Sequence, residues 1–77
     1  MNWDQLQGKW KQYKGKAKVK WGKLTDDDLD VIDGKRQQLV GKIQEYYGVT
    51  KEAAEKQTQE FADTLKAVQE KVRRAGR

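Results

Sequence analysis

The sequence predicts an all-α fold of four helices arranged as two packed αα-hairpins. Three observations carry this expectation. Apolar residues recur at helical spacing along most of the chain. Proline is absent, and glycine and threonine punctuate the apolar runs instead. An internal repeat at an offset of 26 residues relates residues 6–22 to residues 32–48.

The first helix is expected over about residues 3–21. At about 100° per residue, Trp3, Leu6, Trp10, Tyr13, Ala17 and Trp21 fall within an arc of roughly 80°. Gly22 follows as a left-handed C-cap. The strongest local signal comes next, in Leu24-Thr25-Asp26-Asp27-Asp28-Leu29. Thr25 suits an N-cap whose hydroxyl accepts from the Asp28 N–H, and three aspartates in the first turn complement the helix dipole. Leu24 and Leu29 stand at the positions of a hydrophobic staple. This second helix is short, about 26–33, and ends near Gly34. The third is expected over 35–47, with Leu39, Ile43 and Tyr46 on one face, Val40 and Tyr47 at its edge, and Gly48 as C-cap. Thr50 then caps a fourth helix running to about Arg74. Its stripe is Ala54, Thr58, Phe61, Leu65, Val68, Val72 and Ala75, and its length is roughly 36 Å against about 28 Å for the first.

The repeat pairs Gly8, Lys9, Gln12, Gly15, Lys16 and Gly22 with Gly34, Lys35, Gln38, Gly41, Lys42 and Gly48. Each copy leads into an apolar residue and a threonine cap. On the helical wheel Gly8 and Gly15 lie about 160–180° from the apolar stripe, and Gly41 is similarly placed. They read as solvent sites or as places where another backbone or a ligand approaches closely, and each costs its helix roughly 0.5–1 kcal/mol relative to alanine.

Composition narrows the function classes. Seventy-seven residues allow one domain, 1–77, with 65–77 as a C-terminal helical extension. A core this small supports roughly 3–5 kcal/mol of net stability. There is no Cys and no His, so disulfides, thiolate or imidazole metal ligands and the usual neutral-pH proton carrier are all missing. No catalytic, cofactor or metal residues are therefore expected. The N-terminus shows no basic run followed by an apolar stretch, and no segment is long and apolar enough to span a bilayer, so a cytoplasmic location is the expectation.

Charge is distributed unevenly. Residues 1–23 hold seven Lys and one Asp, and residues 24–34 hold five Asp and no base, within a net charge of +5. The candidate anionic-surface contacts are Lys9, Lys11, Lys14, Lys16, Lys18, Lys20 and Lys23. Phosphate binding wants such charge, but sequence reading favours bidentate arginine, which this helix lacks. The simpler reading is mutual neutralisation of a basic and an acidic segment. Asp26, Asp27, Asp28, Asp30 and Asp33 sit in helix turns, where capping explains them better than a calcium loop does. The Trp3, Trp10 and Trp21 stripe reads as core, with Trp3 partly exposed. No Gly-Lys pair is followed by Ser or Thr or preceded by a strand, which removes a phosphate loop. Gly22-Lys23-Leu24-Thr25 is too slight a likeness to a helix-hairpin-helix turn to build on.

The runs Trp10-Lys11-Gln12, Lys14-Gly15-Lys16 and Trp21-Gly22-Lys23-Leu24-Thr25-Asp26-Asp27-Asp28 resemble the CsbD-like family. So do Gly34-Lys35-Arg36, Leu39, Gly41-Lys42-Ile43-Gln44 and Tyr47-Gly48. The resemblance spans roughly residues 1–60 and is closest to the proteobacterial YjbJ-type members. It implies a four-helix fold similar to the sterile-alpha-motif class and an association with the bacterial general stress response. It implies no molecular activity and carries over no site residues. Family members usually finish soon after the fourth helix begins, whereas this chain continues through Thr64-Leu65 to Arg77. The function expected is that of a non-enzymatic stress-associated protein. The alternative is weak, non-specific binding of nucleic acid or an anionic surface through the basic first helix. A homodimer through the C-terminal helix is the remaining partner expectation.

Overall fold

A computed structural model describes the backbone of residues 3–75 and side chains through Ala67. The described residues form helices and connecting turns without strands: α1 (Trp3–Gly8), α2 (Trp10–Lys20), α3 (Asp26–Ile32), α4 (Arg36–Tyr47) and α5 (Lys51–Ala75). Helices adjacent in sequence pack on one another, and α4 against α5 is the most extensive contact.

The all-α expectation holds, but the first helix is two helices. Lys9 leaves helical geometry at φ −113°, ψ 22°. Its N–H reaches Leu6 O at 3.1 Å, closing a tight turn, and its own carbonyl accepts from Gln12 N at 2.9 Å to start α2. Gly8 before it has weak helix preference, which lowers the cost of the break. The apolar stripe runs through the break in phase, so periodicity alone does not reveal it.

One terminator also differs from expectation. Gly22 does not take the left-handed conformation; positive φ among the described residues occurs at Asp33, Gly34 and Gly48. α2 ends instead on Trp21 at φ −118°, ψ 76°, because burying its indole fixes the exit direction of the chain. α3 ends on Asp33 in the left-handed region, φ 50°, which a short polar side chain tolerates. Gly48 is the left-handed C-cap of α4, as expected. Thr25 caps α3 in a full capping box.

These boundaries sharpen the repeat. Shifting α2 by 26 residues places it on 36–46, against an observed α4 of Arg36–Tyr47. The Gly8-Lys9 junction falls on Gly34-Lys35. Each unit is thus a short helix, a Gly-Lys junction and a longer helix.

The core is shared by all five helices. Leu6, Ala17, Ile32, Leu39, Ile43 and Ala54 are fully buried, and Trp10, Trp21, Phe61 and Leu65 nearly so. The α5 stripe is buried at Ala54, Thr58, Phe61 and Leu65; Val68, Val72 and Ala75 lie outside the described side chains. Buried Thr58 satisfies its hydroxyl by donating to Glu55 O at 2.7 Å. Among the described residues no helix is long and apolar enough to cross a membrane.

Candidate functional site

The candidate lysines divide by the face of α2 they occupy. Lys14 and Lys18 are one turn apart and point at α3. Lys14 Nζ meets Asp30 Oδ1 at 2.6 Å, and Lys18 Nζ meets Asp26 Oδ1 at 2.8 Å. The hydrogen bond from Lys18 holds the Asp26 carboxyl below its ordinary pKa, and the bond to Asp30 raises that of Lys14. Lys20 and Lys23 lie over aromatic rings, 5.5 Å from the Trp21 centroid and 5.0 Å from that of Tyr47. Lys9, Lys11 and Lys16 are exposed and enter no ion pair among the described residues. The seven do not form one continuous cationic site.

The acidic segment is equally committed. Asp28 is the hub. Its Oδ2 accepts from Thr25 N at 3.0 Å, while its own N–H donates to Thr25 Oγ1 at 3.1 Å. The Tyr46 hydroxyl bonds the same carboxylate, and Lys42 Nζ stands 3.5 Å away. The Thr25 backbone N–H first, then Tyr46, pulls the Asp28 pKa from 3.8 to about 2. The Tyr46 hydroxyl is raised in turn. A capping residue thereby also fastens α3 to α4. Among the described residues no three acids are grouped as metal ligands.

The tryptophans build the interior. Trp10 Nε1 donates to Leu29 O at 2.9 Å, and Trp3 Nε1, half-buried, donates to Gly34 O at 2.6 Å. Trp21 Nε1 donates to Gln57 Oε1 at 2.9 Å, and its ring meets Phe61 edge-on with centroids 5.0 Å apart. Their indole N–H groups are consumed within the chain, as buried tryptophans require.

Sequence reasoning missed one surface feature. Val19 is 87% exposed on the outer face of α2. Beside it an open groove of about 410 Å³ is lined by Lys16, Val19, Lys20, Phe61, Thr64 and Leu65. The available signal was a lone β-branched residue off the stripe, inside the run Lys16-Ala17-Lys18-Val19-Lys20.

A model of the CsbD-like family matches residues 4–56. The UPF0337 protein ECA0631 of Pectobacterium atrosepticum is 68% identical over 63 residues, 82% of this chain and 91% of that protein. The UPF0337 protein YjbJ of Escherichia coli is 65% identical over 57 residues, 74% of this chain and 83% of its own length. A UPF0337 protein of Protochlamydia amoebophila, pc0632, is 56% identical over 63 residues, 82% and 96% of the two chains. The family match ends inside α5, so Gln57 and Phe61, which cover Trp21, lie beyond it. With that match across α1 to α4 and relatives this similar over most of their length, the chain belongs to the CsbD-like family.

Proposed function

We propose that this chain is a non-enzymatic, stress-associated bacterial protein that works in the cytoplasm by surface contact. The observation that carries this reading is the use of its ionisable side chains. Asp26, Asp28 and Asp30 are engaged by Lys18, by Thr25 and Tyr46, and by Lys14. A general acid or base needs a pKa near the working pH and a face open to substrate; Asp28, at about 2, is tuned the other way. The stress association comes from the family resemblance. Grouping α1–α2 and α3–α4 as two packed αα-hairpins of sterile-alpha-motif type belongs to the same proposal and is supported by the 26-residue repeat. So does treating residues 65–77 as an extension of a single domain.

Recovery of partners from stressed bacterial lysate on the immobilised full chain, with and without nuclease, tests this. A nuclease-resistant partner supports contact with protein. Nuclease-sensitive recovery of many proteins would favour the alternative of non-specific nucleic-acid binding through the α2 lysines. That alternative is weakened by the pairing of Lys14 and Lys18 with α3.

A further inference from the structure

We propose that α1 is exchanged between two copies of this chain: Lys9 straightens, α1 and α2 become one helix, and the Trp3 and Leu6 of each copy enter the core of the other.

The junction between α1 and α2 is one residue long. Lys9 stands at φ −113°, ψ 22°. Its two backbone bonds, Lys9 N to Leu6 O at 3.1 Å and Gln12 N to Lys9 O at 2.9 Å, each span three residues in place of the four of a regular α-helix. Lys9 is exposed, and the N-terminus of α2 has no side-chain cap, so neither packing nor capping holds the turn. Moving this one residue into helical geometry joins Trp3–Gly8 to Trp10–Lys20 as a single helix roughly 27 Å long. Six residues are too few for a stable helix on their own, and the joined helix removes that weakness.

Straightening keeps the apolar stripe intact. At about 100° per residue, Trp3 and Leu6 stay in phase with Trp10 and Ala17 across the junction. The straight helix carries them beyond the seat of α2 by roughly 9 Å, still on the side that packs. They leave behind the place of fully buried Leu6 and the Gly34 carbonyl, which accepts from Trp3 Nε1 at 2.6 Å. Gly34 shapes this seat for α1, because a Cβ there would stand 2.8 Å from Gln7 Cα. A foreign helix would have to present an indole and a leucine at the same spacing, with its backbone as close. The α1 of a second copy does so by identity. Exchange repeats the contacts of the closed chain, so the hinge and the cost of association decide the balance.

The test is sedimentation equilibrium of the full chain after refolding at micromolar and at millimolar concentration. A concentration-dependent dimer is expected. Inserting Gly-Gly-Ser after Lys9 lets α1 fold back freely and interrupts the straight helix, and should weaken dimerisation by roughly tenfold or more. Thermal unfolding confirms that the lengthened chain is folded. The sequence has no cysteine, so engineered thiols report the exchange directly. Asp4 and Lys35 are exposed neighbours of the bonded pair Trp3 and Gly34. D4C and K35C are placed in separate chains and refolded together. A short bismaleimide should link D4C of one chain to K35C of the other in preference to like pairs. A monomer at both concentrations, a dimer indifferent to the insertion, or a dimer without that cross-chain link overturns the proposal. A dimer indifferent to the insertion but lost when the chain ends after Thr64 would belong to α5 instead.

Discussion

A Cβ built on Gly34 would stand 2.8 Å from Gln7 Cα, so the turn joining α3 to α4 lies directly on the backbone where α1 gives way to α2. The Trp3 indole closes the same contact by donating to the Gly34 carbonyl at 2.6 Å. Gly34, the counterpart of Gly8 in the repeat, thus packs against Gln7 and Trp10, the residues on either side of the Gly8-Lys9 junction. Gly34 also has φ +77°. Gly34→Ala therefore combines a left-handed backbone with a clash against main chain. The expected loss is about 2 kcal/mol or more, read as a lowered midpoint in denaturant unfolding.

Gly15 and Gly41 behave oppositely. Each sits inside a helix with nothing among the described residues within 4 Å of a built Cβ. Gly15→Ala and Gly41→Ala should each raise stability by about 0.4–1 kcal/mol. A fall in stability from either would show a contact that only the glycine permits.

Phe61 joins α5 to the end of α2 through its edge-on contact with Trp21. Phe61→Ala should cost about 3–5 kcal/mol, comparable with the roughly 3–5 kcal/mol such a domain holds in total. Circular dichroism should show a chain about half unfolded at room temperature. Ending the chain after Thr64 removes buried Leu65 and the rest of α5, and should lower the thermal midpoint. Sedimentation of the same pair reports whether this helix also carries a homodimer. An unchanged midpoint and an unchanged oligomeric state would assign residues 65–77 no structural role.

Acid should loosen the α2–α3–α4 contacts. Asp28 is held at about 2, chiefly by the Thr25 N–H, and Asp26 is lowered chiefly by its bond from Lys18. Both folded-state values lie below the unfolded ones. Their contribution is therefore complete above the ordinary carboxylate range and is lost as pH falls through about 4 toward 2. Asp28→Asn should flatten the decline in thermal midpoint over that window. An unaltered slope would mean that Asp28 is not the group whose protonation matters.

What the sequence disclosed follows from the range of each interaction. The Thr25 cap and the Gly48 stop are local, set by residues within a turn, and both are legible. The break at Lys9 is not, because Trp3, Leu6 and Trp10 keep a common phase across it. Gly22 looked like a left-handed cap on composition, but burial of Trp21 decides how the chain leaves α2. The capping role of Asp28 is visible in Thr25-Asp26-Asp27-Asp28, whereas its bond from Tyr46 depends on how α4 lies against α3. Neutralisation of the basic segment by the acidic one was readable as net charge. The pairs that achieve it, Lys14 with Asp30 and Lys18 with Asp26, needed the helix axes.

The proposed function treats the charge pattern of α2 and α3 as architecture. A double-mutant cycle on Lys14 and Asp30 tests it most directly. Lys14→Asp sets two carboxylates face to face. Asp30→Lys sets two ammonium groups face to face near the C-terminal end of α3, where a cation suits the helix dipole. The swapped double variant restores an ion pair of opposite polarity. Denaturant unfolding should show the double variant more stable than the sum of the two single changes predicts. Strict additivity would contradict the account, because Lys14 and Asp30 would then be independent surface charges available for another purpose.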